Sequence, residues 1–361
     1  MESKPLDSRK SVIIFSRALS SGGAEKQSIL LAKALNDKYN VVLIFFVDEM
    51  KLERNIKFLN NEKIIYYQLT GNVIKKIRDF CKLIGKIRPY SIINFLPGNN
   101  FLGGALGRLF GIKCIIGSIR TTKINTNLKF IQLLISHVFF NHSTVFNSKA
   151  GFKHNYNRGF RGKKSSVIQN CLYPMPERTK RANTEIVILI VSRFEECKDY
   201  PTALEAFKLI KELYPEKNIK LEIVGQGAYK QMVIDWVRDN NLQSHITITV
   251  NPENVNEHYI KSTIFLQTSL TEGFSNSIME AMVHSLPIIA TDVGDNSQMV
   301  IDGVNGYIVP VKRPDIIVNR LCLLIESDKR RQDMGSKSYD IIKDDFSIEK
   351  FSSAFSKIIE K

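Results

Sequence analysis

Two carboxylates eight positions apart bracket a turn suited to an anion. Glu272-Gly273-Phe274-Ser275-Asn276-Ser277 leads into Ile278-Met279-Glu280-Ala281-Met282, just after an apolar run at Ile264–Gln267. Gly273 and the Ser275-Asn276-Ser277 turn let backbone N–H groups face a negative charge at a helix start, where the helix dipole adds attraction. Glu272 then precedes the turn, and Glu280 is expected about two turns into the helix. Acids beside a diphosphate repel it unless they hold hydroxyls. Sugar hydroxyls on one side and ribose hydroxyls on the other would satisfy both acids. The alternative is a helix-capping acid and a solvated surface acid, and the surrounding pattern favours the site.

The elements that must position this turn read as two βα series. The first opens with Ser11-Val12-Ile13-Ile14-Phe15, followed by a Gly-rich turn and a helix over about residues 25–35. Further apolar runs lie at 41–47, 91–95, 114–116 and 144–146. The second series has strands at 186–191, 220–224, 246–250, 264–267 and 287–291. Strands alternating with helices at this spacing predict parallel sheets wrapped by helices, and hence two doubly wound domains. The expected division is residues 1–172, a linker at 173–182, residues 183–345, and a last amphipathic helix at 346–361. That helix carries Ile348, Phe351, Phe355, Ile358 and Ile359 at helical spacing. Such sheets bind ligands beyond the carboxyl ends of their strands. Two of them facing across a cleft would draw their chemistry from the turns after strands.

On these residues the chain resembles the retaining nucleotide-sugar glycosyltransferases of family 4, whose E-x7-E motif has the shape of Glu272 to Glu280. Other motifs agree in order along nearly the whole chain. Val191-Ser192-Arg193-Phe194-Glu195-Glu196-Cys197-Lys198 matches the family's Arg and Lys that neutralise the donor diphosphate. Val224-Gly225-Gln226-Gly227 is similar to the Gly turn where the nucleotide base sits. Ser20-Ser21-Gly22-Gly23-Ala24-Glu25 is similar to the glycine-rich first loop, and Asn147-Ser148-Lys149 and Gln169-Asn170 match the end of the family's first domain. The resemblance implies a GT-B fold of two Rossmann-like domains, with the acceptor in the first and the donor mainly in the second. It also implies that the last helix packs back on the first domain.

The resemblance assigns roles within the site as well. Glu272, Arg193, Lys198 and Arg120 are the expected catalytic group, with Arg193 and Lys198 stabilising the departing nucleoside diphosphate in place of a divalent cation. Gly22, Gly23, Gly225, Gly273, Phe274, Ser275, Asn276, Ser277 and Glu280 are expected to bind the donor. No D-x-D motif suits a metal, since Asp292 and Asp295 have the wrong spacing; the expectation is no metal or other cofactor, and a UDP-sugar donor rather than GDP. Many relatives carry a His near the donor sugar after the strand at 114–116. Here Gly117-Ser118-Ile119-Arg120 stands there, so Arg120 is the candidate for that position. An inverting reaction needs a general base near the acceptor, and the first domain offers only Glu25, His137, His142 or His154. That scarcity favours retention.

Charge adds a partner. Up to Ala182 there are 31 Lys or Arg against 10 Asp or Glu, a net +21; the remainder has 20 against 26, a net −6. From residue 80 to residue 176 there is no carboxylate, yet there are 14 Lys or Arg. Such a surface attracts nucleic acid or an anionic membrane. The basic helix at 73–88, with Ile74, Ile77, Cys81 and Ile84 on one face, fits a membrane surface or an ordinary sheet-packed helix. A cluster at 149–164 interleaves Phe152, Tyr156 and Phe160 with bases. Nucleic acid would call for aromatic platforms or a groove-reading helix and would leave Glu272 and Glu280 without a role. A basic binding protein without transferase activity is the alternative reading.

Five cysteines, widely spaced and without a C-x-x-C pair, argue against a disulfide framework or zinc and suit a reducing cytosol. Met1 to Lys10 is polar, without a secretory signal, and no apolar run nears the roughly 20 residues of a membrane span. The expected location is the cytoplasm, at the inner face of the membrane. The expected reaction moves a hexose or N-acetylhexosamine to a lipid-linked or saccharide acceptor in surface polysaccharide assembly.

Overall fold

The computed structural model describes residues 8–20, 22–48, 52–122, 126–162, 164–178, 185–252 and 254–361. Residues 179–182 of the expected linker lie outside these. The chain divides into two units, one of Met1–Tyr173 with Ser347–Lys361 and one of Pro174–Phe346.

The first unit holds strands β1 Ser11–Ser16, β2 Asn40–Phe45, β3 Ile65–Gln68, β4 Ser91–Phe95, β5 Cys114–Ile119, β6 Ser143–Phe146 and β7 Ser165–Val167. Their order is β3-β2-β1-β4-β5-β6-β7, in parallel throughout. The second unit holds β8 Ile186–Val191, β9 Ile219–Gly225, β10 Ile246–Val250, β11 Ile264–Gln267, β12 Ile288–Thr291 and β13 Gly306–Val309. Its order is β10-β9-β8-β11-β12-β13, again parallel. Both sheets therefore reverse direction beside their first strand, between β1 and β4 and between β8 and β11. That reversal is the place where doubly wound sheets bind ligands.

The central strands are continuous β-branched runs because helices cover both faces. Val12 to Phe15 and all of β2 are buried. In the second unit Ile188, Leu221, Ile223 and Leu266 share a core with Phe207 and Leu321. Three strands escape the sequence reading: β3, β7 and β13. All lie at sheet edges, and β3 and β7 lack a buried residue. Half-solvated edge strands such as β3 and β7 need no long apolar run and leave a weak signal, whereas β13 is mostly buried but only four residues long.

The helix Ile348–Ile359 seats Phe351, Phe355 and Ile359 in the first unit's core. Ser352 Oγ donates to the Ala34 carbonyl at 2.5 Å, on the helix Gly23–Asn36, and Tyr39 donates to Glu360 Oε1 at 2.9 Å. The helix Val73–Ile87 packs on the sheet through Phe80 and Ile84, leaving Val73 and Ile74 exposed at its start. It is thus a sheet-packed helix over most of its apolar face. Among the described residues no helix is long and apolar enough to cross a membrane.

Candidate active site

The second unit's site is built where its sheet reverses. After β8 the chain makes a single tight turn, Glu196–Lys198, and Asp199 takes a left-handed conformation (φ 49°) to launch the helix Tyr200–Leu213. After β11 the chain clamps that turn. Thr268 Oγ1 donates to the carbonyls of Lys198 and Asp199, both at 3.0 Å, and the Leu270 N–H donates to the Cys197 carbonyl at 2.8 Å. With the two loops tied, Lys198 Nζ meets Glu272 Oε1 at 2.5 Å, each side chain only 13% exposed. Ser269 Oγ donates to the same oxygen at 2.8 Å.

A buried amide organises the rest. Gln267 ends β11 and donates to Ser275 Oγ at 2.9 Å and to Ser277 Oγ at 3.3 Å, while its own oxygen accepts from Asn296 Nδ2 at 3.1 Å. Ser275 caps the helix Asn276–Val283 by accepting from the Ile278 N–H. The Gly273–Ser277 turn is therefore held from beneath, with the start of a helix beside it. Glu280 falls just past that helix's first turn, not two turns in, because the helix begins at Asn276 rather than at Glu272. Tyr259, fully buried, donates to Glu280 Oε2 at 3.0 Å. Burial, then the neighbouring Glu280, pushes the Tyr259 phenol well above its ordinary range, so it stays a donor.

Glycines permit the close approaches. A side chain on Gly225 would place its Cβ 1.9 Å from the Ser192 carbonyl oxygen, so the turn after β9 lies directly on the turn after β8. Gly294 has φ +60°, and a Cβ there would lie 2.5 Å from the Glu272 carbonyl oxygen. The Asp295 N–H beside it donates to the Gly273 carbonyl at 3.0 Å. Gly294, Gln267, Ser269 and Asn296 shape this candidate site, and sequence reasoning missed them. Gln267, a lone polar residue closing an apolar strand, was the signal available.

The remaining expected residues are more dispersed. Arg193 is 67% exposed on the turn after β8 and pairs with Glu195 at 2.6 Å. Phe274 is buried, its ring 5.4 Å from that of Phe346, so its main chain rather than its ring is left to face a ligand. Gly22, Gly23 and Arg120 belong to the first unit. Gly22 caps the helix Gly23–Asn36, with the buried Glu25 folded over it. Arg120 comes directly after β5. Its NH1 donates to Asn170 Oδ1 at 2.9 Å and its guanidinium carbon lies 4.5 Å from the Phe95 ring centre. Among the described residues no group of three or more His, Cys, Asp or Glu side chains could hold a metal ion.

Known proteins share this architecture. Residues 175–340 match the family described as glycosyl transferases group 1. The chain is 24% identical over 348 residues, 90% of its own length and 93% of the relative's, to a Campylobacter jejuni protein. That relative is N-acetylgalactosamine-N,N'-diacetylbacillosaminyl-diphospho-undecaprenol 4-alpha-N-acetylgalactosaminyltransferase. The chain is also 25% identical over 174 residues to poly(ribitol-phosphate) alpha-N-acetylglucosaminyltransferase of Staphylococcus aureus, a match covering 47% of the chain and 34% of that protein. The crystal structure of HepE from Anabaena in complex with UDP superposes with a TM-score of 0.83 at 15% identity, covering 97% of the chain and 99% of HepE. The fold is therefore that of these GT-B proteins, two parallel-sheet Rossmann-like units, and the chain is a glycosyltransferase whose second unit matches the group 1 family.

Proposed function

We propose that the chain is a retaining, metal-independent glycosyltransferase of the E-x7-E kind. It moves a hexose or N-acetylhexosamine from a UDP-sugar to a lipid-linked or saccharide acceptor in surface polysaccharide biosynthesis. The observation that carries this reading is the meeting of Lys198 and Glu272 beside the capped Gly273–Ser277 turn. A diphosphate seated on that turn takes Lys198 as its counter-charge, and the released Glu272 accepts a sugar hydroxyl. Arg193, exposed on the adjoining turn, adds positive charge as the β-phosphate departs. Glu280, oriented by the Tyr259 hydroxyl, accepts from ribose hydroxyls. The reading is supported by the UDP-bound HepE structure and by relatives whose names specify diphospho-undecaprenol and poly(ribitol-phosphate) acceptors.

The first unit is the acceptor side, lying on an anionic membrane at the cytoplasmic face. A surface on that unit supports this. The helix Asn127–Ile135 and the π-turn after it, Ser136–Phe140, expose Leu128 (66%), Ile131, Val138 and Phe139 (66%). Bases surround them: Arg108 donates to the Phe140 carbonyl at 2.8 Å and Lys164 Nζ lies 3.4 Å from the Val138 carbonyl. Apolar side chains ringed by bases are what an anionic bilayer surface takes. In the 149–164 cluster, by contrast, Phe160 is buried, leaving Tyr156 as the exposed ring.

The test is a thermal-shift series against UDP, GDP, ADP and their sugar conjugates without added metal. A ligand that binds only the folded chain raises the melting temperature. A shift with the UDP series, lost in Lys198→Ala and Glu280→Ala, supports the reading. No shift with any nucleotide sinks it, and salt-sensitive DNA binding in its place would make the first unit a nucleic-acid surface.

A further inference from the structure

At the carboxyl edge of the first sheet Arg120 has no acidic partner among the described residues. Arg120 is half-buried as a residue, but solvent reaches neither its Nε nor its NH2, and among the described residues neither atom has a hydrogen-bond partner. Its NH1 donor bond to Asn170 and the Phe95 ring are neutral contacts. Burial pulls its pKa down to about 9, with only the distant influence of Cys171 opposing. It is still charged at neutral pH, so its desolvation cost goes unmatched.

The same edge carries other unmet groups. Phe95 leads directly into Leu96, a non-glycine residue at φ 72°, ψ 155°, where only glycine is comfortable. Leu96 starts the helix Pro97–Leu109, and the helix is tied to β5 by Asn100, whose Oδ1 accepts from the Ser118 N–H at 3.0 Å. In that helix's first turn Pro97 has no N–H and the Asn100 N–H bonds the Leu96 carbonyl at 2.9 Å, which leaves Gly98 and Asn99 as its donors, and a Cβ on Gly98 would meet nothing within 4 Å. Buried Asn99 Nδ2 also lacks a partner. Asn147, whose N–H donates to the carbonyl of Ile119 at 3.1 Å, keeps a buried unpartnered Oδ1 one residue from the arginine.

We propose that this edge is an anion subsite: Arg120, with the start of the helix Pro97–Leu109, binds a carboxylate or phosphate carried by a sugar substrate, with the Asn side chains serving its hydroxyls. The inference rests on the reading of the first unit as a substrate-binding unit and adds the charge of what it binds. Nε and NH2 form a two-pronged fork that matches two oxygens of either group, and a ligand engages it by displacing the side chains that now keep solvent from both atoms. A neutral sugar would leave the arginine as uncompensated as before.

The experiment titrates the whole chain, already saturated with UDP so that the second unit's phosphate turn is filled. Glucuronate, inorganic phosphate and neutral glucose are added at equal ionic strength while the melting temperature is read. One of the two anions should raise it at a concentration about tenfold below that needed for glucose. Arg120→Met should lose that response while keeping the UDP shift, which reports that the variant is folded. Glucuronate acting alone assigns a sugar acid, and phosphate acting alone assigns a phosphorylated substrate. Equal responses to glucose and both anions, no response, or a response that survives in Arg120→Met overturns the inference. Should Arg120→Met not fold, Arg120→Lys carries the comparison: it keeps a point charge without the fork, and an undiminished response there overturns the inference equally. A missing UDP shift would count against the donor site and leave the anion arms readable by themselves.

Discussion

The two sheets share one strand order, yet their carboxyl edges are in opposite states. At the second edge most of the polar groups named have found one another: Lys198 with Glu272, Ser269 on the same carboxylate, Gln267 on the serines of the turn, with Asn296 Oδ1 left unmet. At the first, Arg120 has two buried nitrogens without partners, Asn99 and Asn147 each keep an unmet atom, and Leu96 is strained. On the proposed reading, a ligand at the second edge must exchange for the existing Lys198–Glu272 ion pair. The first edge, on the proposed reading, gains its missing partners when a ligand arrives. Satisfied networks hold geometry and unsatisfied ones hold affinity.

Breaking the satisfied edge should have the largest effect. Lys198→Ala removes the charge facing the leaving diphosphate, and turnover should fall by roughly 10²–10³ in single-turnover kinetics. It also strands a largely buried carboxylate, whereas Glu272→Gln spares stability and isolates the catalytic loss. A Lys198→Ala enzyme with near-normal turnover would remove Lys198 from the reaction.

Next comes the turn itself. Gly294→Ala forces an ordinary residue into φ +60° against the Glu272 carbonyl. Denaturant unfolding should show a loss of about 1–3 kcal/mol, with weaker UDP binding because the Gly273 turn must shift. Ser275→Ala removes a helix cap and one partner of Gln267, costing about 1 kcal/mol by the same measurement.

At the unsatisfied edge the expected sign reverses. Removing Arg120 relieves a desolvation cost of several kcal/mol per buried ion, against about 2 kcal/mol lost with the Asn170 bond and the Phe95 face. The ligand-free Arg120→Met chain should therefore be more stable by about 1 kcal/mol. A destabilised variant would show instead that the protein itself compensates the arginine. The smallest effect on stability belongs to Arg193→Ala, which breaks an exposed pair with Glu195: unfolding should move by less than about 0.5 kcal/mol. UDP affinity should nonetheless drop, and its persistence would leave diphosphate neutralisation to Lys198 alone.

The amino-acid sequence by itself determined the two parallel sheets. Runs such as Val12 to Phe15 and Ile186 to Val191 have no solvated face, and only a helix-covered strand accommodates that pattern. It also placed the Glu272–Glu280 turn, because glycine, a capping serine and paired acids act locally. Which charges meet was beyond it. Lys198 and Glu272 are 74 positions apart and are joined only because β8 and β11 are neighbours where the sheet reverses. Gly294 is glycine because another strand's loop presses on it, and Phe274 faces inward because Phe346 lies there. Arg120 is one basic residue among many in sequence. Folding alone decided that its Nε and NH2 would be buried without partners among the described residues, since burial and hydrogen bonding are properties of the assembled neighbourhood and of no single segment.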